Sequence, residues 1–259
     1  MISELLDPCS ALALKAGSAA LEFYGKKDLE VHAKSDKSPV TAADLAAHHI
    51  LVDGLQELPG DFPIISEESG VPSFAERSAW KRFWLVDPLD GTKEFIKGNG
   101  EFTVNIALID NGEPVLGVVY APATGALYRA GKGLGAFKRD GENYVRIVST
   151  PMKTPESAVV SRSHPSGQLA AFLDKHGVSR RVPAGSSLKF CLVAEGAADV
   201  YPRFGPTMEW DTAAGDCVYR DSAASGRHPC ALNYNKPDLR NGGFIVGMQD
   251  GDAALAEFS

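Results

Sequence analysis

The chain has 259 residues, 44% hydrophobic and 23% charged, with a formal net charge of −7. Those values exclude a disordered chain and fit one large domain or two closely packed ones. The acidic balance argues against a nucleic-acid polymer as partner, but a small anionic substrate can be met by metal ions and a few local cations.

In chain order, the apolar spacing of residues 3 to 24 predicts an amphipathic helix that ends at Gly25. A polar segment then leads to Thr41, a candidate N-cap for an Ala-rich helix reaching about Leu58, with Asp44 in its first turn. From Phe83 to about Phe137 short apolar runs alternate with the breakers Asp110-Asn111-Gly112-Glu113 and Pro122-Ala123-Thr124-Gly125, which predicts an antiparallel meander. Beyond Thr150 short strands alternate with helical segments near 167–176, 187–195 and 211–221, so the second half reads as α/β. The division expected is 1–153, carrying the antiparallel sheet and most metal ligands, and 154–259, carrying substrate contacts and Asp211.

Cys9, Cys191, Cys217 and Cys230 are scattered without Cys-x-x-Cys spacing, which reads as reduced thiols in a cytoplasmic protein. No apolar run reaches membrane-spanning length and no secretory leader pattern opens the chain. The expected location is the cytoplasm, with peripheral association at the inner face of the cell membrane left open. The sequence assigns no oligomeric state.

Residues 84–92, Trp-Leu-Val-Asp-Pro-Leu-Asp-Gly-Thr, carry the most chemistry. An apolar run ends in two carboxylates, and Asp87, Asp90 and the Leu89 carbonyl can point hard oxygen donors at one spot, a set that suits Mg²⁺ acting with a substrate phosphate. Asp-Pro and Asp-Gly also form ordinary turns. Two more acidic segments at the edges of apolar elements, Glu67-Glu68 and Glu209 to Asp216, shift the balance toward a metal site.

Taken together, Glu67-Glu68, Asp87-Pro-Leu-Asp-Gly-Thr92 and Trp210-Asp-Thr-Ala-Ala-Gly215 resemble the inositol monophosphatase superfamily of metal-dependent, lithium-sensitive phosphatases. Lys34 to Asp44, Gly91 to Ile96, Gly100 to Leu108, Ser161-Arg-Ser-His164 and Gly185-Ser-Ser-Leu-Lys189 are similar to its bacterial CysQ-type 3′(2′),5′-bisphosphate nucleotidases. The resemblance implies an α+β fold, a layered αβαβα sandwich of the inositol monophosphatase and fructose bisphosphatase type. It implies two or more Mg²⁺ ions, one held by Glu67, Asp87 and the Leu89 carbonyl and a second by Asp87, Asp90 and Asp211. Thr92 would orient the attacking water and Asp44 would take its proton. Gly91 and Thr92 N–H groups would hold phosphate oxygens, and Glu68 is given an outer role. Ser161, His164, Gly185 and Lys189, with Asp211, would meet a small bisphosphorylated nucleotide.

The activity implied is removal of the 3′-phosphate of adenosine 3′,5′-bisphosphate to give AMP, with its sulfated relative as a further substrate and a place in sulfur metabolism. Alternatives are an inositol-phosphate or fructose-bisphosphate phosphatase of the same superfamily, and a non-catalytic metal or nucleotide sensor. Glu209, beside Trp210, is expected to add charge near the site and tune metal affinity.

Overall fold

Helix α1 (Ile2–Leu21) turns Leu5, Leu6, Cys9, Ala13 and Ala16 inward at helical spacing. It closes earlier than the apolar pattern suggests, because Glu22, Phe23 and Tyr24 donate to carbonyls only three residues back and tighten the chain into a turn. The computed structural model describes residues 2–26, 31–33, 39–162 and 166–258; residues 34–38 of the matched Lys34-to-Asp44 segment, and His164, lie outside the described residues. Strands β1 (Val31–Ala33) and β2 (Pro39–Thr41) pair antiparallel. Thr41 then caps α2 (Ala42–Gln56): its hydroxyl accepts from the Ala43 N–H, and its own N–H donates to Asp44 Oδ2 at 2.8 Å.

Next come β3 (Ile64–Ser66), α3 (Phe74–Arg77), β4 (Arg82–Asp90), α4 (Thr92–Lys97), β5 (Thr103–Asp110), β6 (Glu113–Ala121), β7 (Ala126–Gly131), β8 (Gly135–Asp140) and β9 (Asn143–Ile147). They form one seven-stranded sheet in the order β3-β4-β5-β6-β7-β8-β9, antiparallel except for the β3–β4 pair. The meander runs past Phe137 through the β8–β9 hairpin, which its polar composition conceals: β9 is mostly exposed.

The central strands read as unbroken apolar runs because both sheet faces are covered. Phe83, Leu85, Ala107 and Ile109 point into one core, and Trp84, Val86, Ile106 and Leu108 into another beneath α1 and α2. Each of the larger aliphatic and phenylalanine side chains among them contributes about 1.5–3 kcal/mol through burial.

The second half adds β10 (Ser157–Val160), α5 (Gly167–Lys175), β11 (Arg180–Pro183), α6 (Leu188–Ala194), β12 (Tyr201–Arg203), β13 (Thr207–Met208), α7 (Glu209–Asp221), β14 (Arg240–Asn241), β15 (Phe244–Val246) and α8 (Gly251–Ala256). α6 and α7 pack on the free face of the large sheet, where Phe190, Ala213, Ala214 and Cys217 share a core with Phe83 and Leu85. Their outer side meets short strands: β10 and β11 pair parallel, β12 and β15 antiparallel, and a bridge between Ala158 and Val200 joins the two pairs. Phe172 and Leu173 of α5 and Ala254 of α8 close the far side. The layers therefore run α, β, α, β, α, the α+β sandwich that the motifs imply.

Candidate active site

The site is built where β4 meets the first turn of α7. Side chains alternate along β4, so Asp87 continues the face of Phe83 and Leu85 and points toward α7. In a regular strand Leu89 would follow on that face. Instead Asp87 pairs with Asn105 and Asp90 with Thr103, so three steps on β4 match two on β5. This bulge contains Pro88, which has no N–H to give the ladder. It rotates Asp90 onto the face of Asp87 and sends Leu89 to the other side, against Ala43 and Phe95. Thus β4 runs on through Asp90 rather than stopping at Asp87, and the Leu89 N–H donates to Asp87 Oδ1 at 3.0 Å.

Glu67 reaches the same spot from β3, whose parallel pairing is extended by the Glu67 N–H donating to the Val86 carbonyl. Glu68 follows it, half-buried, in a turn closed by the Ser69 N–H on the Ser66 carbonyl. Asp211 arrives from the first turn of α7, where its Oδ2 accepts the Met208 N–H at 2.8 Å. Carboxylate oxygens of Glu67, Asp87 and Asp211 lie within 4.8 Å of one another.

Burial, then the charges of Glu67, Asp90 and Asp211, push the Asp87 carboxyl well above the usual range. Burial and Asp90 do the same to Asp211. Asp90 rises to about 6, again through burial, with Lys189 pulling the other way. Like-charged oxygen donors held this close, at the end of a hydrophobic core, are a costly arrangement without a cation. A hard divalent ion removes that cost, so the donor set fits Mg²⁺.

Beside the cluster, Thr92 Oγ1 donates to Asp44 Oδ1 at 3.1 Å and lies 3.4 Å from the Leu89 carbonyl. Asp44 is 1% exposed, so it meets the cavity only through Thr92. Burial raises its pKa against the bonds from Thr41 and Thr92. Gly91, at φ +94°, adopts a conformation that L residues rarely take, and a Cβ there would stand 2.4 Å from Ser186 Oγ.

A cavity of about 430 Å³ opens over these groups, a size that suits a small organic ligand. Glu67, Asp87, Leu89, Asp90, Gly91, Thr92 and Asp211 line it together with Ser161, Gly185 and Lys189, and Lys93 and Arg203 are further cations in the lining. Lys189 is not the mobile point charge its residue type suggests. It is buried, its Nζ donates to the Ser186 carbonyl at 2.6 Å, and burial brings its pKa down to about 8 against the pull of Asp90. Gly185 makes its close approach to the Glu101 backbone, 2.5 Å from where a Cβ would stand.

Glu209 corrects an expectation. Its carboxylate is fully buried, turned to the Asn235 and Lys236 N–H groups, and paired with Lys236 Nζ at 2.6 Å. Its charge is spent on holding the 235–236 loop against α7.

Three residues at the site carry no role in the sequence reading. Ser186 Oγ lies 2.8 Å from both the Asp90 and Glu101 carbonyls, Ser187 Oγ donates to the Asp211 carbonyl at 2.6 Å, and Asn105 Nδ2 donates to Ser187 Oγ at 3.0 Å. Asn105 left a signal, an amide inside the apolar run of β5. The serines left only their place in Gly185-Ser-Ser-Leu-Lys189.

Known proteins resemble this chain over most of its length. The profile of the Inositol monophosphatase family matches residues 1–257. The 3′(2′),5′-bisphosphate nucleotidase CysQ of Escherichia coli K12 is 51% identical over 225 residues, covering 86% of this chain and 89% of that one. The crystal structure of CysQ from Bacteroides thetaiotaomicron, described as a bacterial member of the inositol monophosphatase family, superposes with a TM-score of 0.78 at 43% identity, covering 94% of this chain and 97% of that one. The Thermotoga maritima IMPase shares the fold at 24% identity, with a TM-score of 0.76 over 97% of this chain and 95% of that one.

Proposed function

The chain belongs to the inositol monophosphatase family, and we propose that within it this protein is a metal-dependent 3′(2′),5′-bisphosphate nucleotidase. Its substrate would be adenosine 3′,5′-bisphosphate, hydrolysed to AMP and inorganic phosphate, with the sulfated relative of that nucleotide as a second substrate. The observation that carries the reading is the cluster of Glu67, Asp87 and Asp211 in a cavity whose lining also bears Lys189 and Arg203. Acids gather there to hold cations, and cations gather there to meet anions. The names of relatives at about half identity over most of the chain supply the nucleotide.

In this reading Glu67, Asp87 and the Leu89 carbonyl hold one Mg²⁺, and Asp87, Asp90 and Asp211 a second. Bound there, the ions supply acidification of water and neutralisation of charge on the phosphate oxygens. The protein's own groups do the rest. Thr92 Oγ1, whose proton points at Asp44 Oδ1, has its lone pairs free to accept from a water in the cavity. As that water's oxygen bonds to phosphorus and the bond to the 3′ oxygen breaks, its proton passes to Thr92 and the Thr92 proton to Asp44. Burial keeps Asp44 a better base than a solvated carboxylate. The departing 3′ oxygen takes up a proton from water in the cavity to become the hydroxyl of AMP, and Asp44 gives up the proton it received by the reverse route through Thr92.

Gly91 and Thr92 N–H groups stand beside the phosphate to be removed. Ser161, Gly185, Lys189 and Arg203 face the rest of the nucleotide across the cavity. The cysteines are all free, three of them buried, which suits a reducing cytoplasm.

The test is phosphate release from adenosine 3′,5′-bisphosphate, inositol 1-phosphate and fructose 1,6-bisphosphate, each with Mg²⁺ and with chelator. Mg²⁺-dependent preference for the nucleotide is expected. Preference for the inositol or sugar phosphate would discard the nucleotide assignment, and turnover undiminished by chelator would discard the metals.

A further inference from the structure

Asp90 and Asp211 come from opposite halves of the chain, and something must hold them in register if one ion is to use both. Asn105 sits on β5 directly opposite Asp87, on the sheet face that meets α6 and α7. It is fully buried, and Ser187, at the start of α6, is 1% exposed. Asn105 Nδ2 donates to Ser187 Oγ at 3.0 Å, and Ser187 Oγ donates to the backbone carbonyl of Asp211 at 2.6 Å. On the other side, Ser186 Oγ, next in the chain to Ser187, lies 2.8 Å from the Asp90 carbonyl, and the Ser187 N–H and the Asn105 amide face the Asp90 carboxylate closely enough to lower its pKa against burial.

Two features show that these bonds are made at the expense of easier ones. Ser187 holds the N-cap position of α6, where a serine hydroxyl normally accepts from a helix N–H, yet it makes no capping bond. Its one proton and one lone pair go to Asp211 and Asn105 instead. Asn105 Oδ1 is buried with no hydrogen-bond partner among the described residues, a rare condition for an interior amide. Turning the amide over would place that oxygen against the Asp90 carboxylate, acceptor against acceptor, so the orphaned oxygen follows from aiming the NH₂ at the site.

We infer that Asn105 and Ser187 are positioning residues that act as one unit, fastening Asp90 of the first half to Asp211 of the second and so setting the affinity of the metal site these two aspartates share. The inference rests on the metal-site reading proposed above. Partners of this kind, which orient ligands without touching the ion, typically change metal affinity by 10- to 100-fold.

The experiment is titration of the full-length, substrate-free protein with Mn²⁺, followed by electron paramagnetic resonance, alongside thermal melts. Ser187→Ala is expected to weaken one class of Mn²⁺ site by about tenfold, while the other class keeps its affinity. Asn105→Ala should do the same, and the double variant should be no worse than the poorer single. Ser187→Cys, of nearly the same volume, gives the same comparison should the alanine variant unfold. Mn²⁺ isotherms identical to wild type in folded Ser187 variants, or fully additive losses in the double variant, would overturn the inference. A wild-type protein that binds no Mn²⁺ would overturn it together with the metal reading, whereas normal wild-type binding with unchanged variants would sink the clasp alone.

Discussion

Helix α7 carries acids in two different settings, and the contrast separates a ligand site from scaffolding. Asp216 is fully buried, but Arg220 grips both its oxygens at 2.9 and 3.0 Å and the Tyr234 hydroxyl adds a bond of 2.9 Å. Glu209 is equally buried and equally answered, by Lys236 and two backbone N–H groups. Asp211, between them in sequence, receives the Met208 N–H and otherwise faces Glu67, Asp87 and Asp90. Charge that the protein itself neutralises belongs to the fold. Charge gathered with like charge at a cavity floor is kept for something from outside.

The contrast breaks most visibly at Asp87. Asp87→Asn keeps the shape and removes the charge, so turnover should fall on the order of a thousandfold, the loss expected when several kcal/mol of charge stabilisation disappear. In chelator the same variant should melt no lower than wild type, because a desolvated, repelled carboxylate has been replaced by a neutral amide. Phosphate release and melts on one preparation check both; a variant that keeps wild-type turnover, or unfolds without metal, would put Asp87 among the scaffold acids.

Asp216→Ala is the opposite experiment. Arg220 is 7% exposed and would be left without its counter-charge, so the fold should lose about 3–5 kcal/mol. Molecules that remain folded should need no more Mg²⁺ than wild type, since Asp216 faces away from the cluster. Denaturant melts and a Mg²⁺ activity curve read the two effects separately.

Metal addition sharpens the same point without a mutation. A ligand at a hundred times its Kd stabilises the folded state by about 2.7 kcal/mol, so saturating Mg²⁺ should raise the Tm of wild type and of chains altered at Asp216, but not of Asp87→Asn. Calorimetry with and without Mg²⁺ decides it, and an equal rise in Asp87→Asn would mean that the ion binds elsewhere.

What the sequence made legible follows from what is local. Thr41 and Asp44 lie three residues apart in a capping box, and Asp87 to Thr92 is one continuous segment, so both could be read from spacing. The meander was legible wherever strands were apolar, and its β8–β9 end was missed because an edge hairpin bathed in solvent has no apolar alternation to show. The bulge that turns Asp90 onto the Asp87 face depends on pairing with β5, which no run of β4 residues reveals. Glu209 was misjudged because Lys236, which neutralises it, lies 27 positions on. Asn105 and Ser187 meet across 82 residues, and neither looks like a ligand by type.

Lys189 tests the boundary between the two kinds of acid, since it is the cation that draws the Asp90 pKa back down. If it serves the nucleotide, Lys189→Met should raise KM for adenosine 3′,5′-bisphosphate about tenfold, the worth of one charge-assisted bond, with kcat less affected. Its removal also makes the surroundings of Asp90 more negative, so half-maximal activity should need less Mg²⁺, not more. A scaffold lysine, like Lys236 on Glu209, would produce neither change and would instead lower the Tm. Steady-state kinetics at several Mg²⁺ concentrations separate these cases. An unchanged KM with a raised Mg²⁺ requirement would show that Lys189 supports the metal ligands' geometry and leaves the nucleotide's second phosphate to Lys93 and Arg203, the other cations of the cavity lining among the described residues.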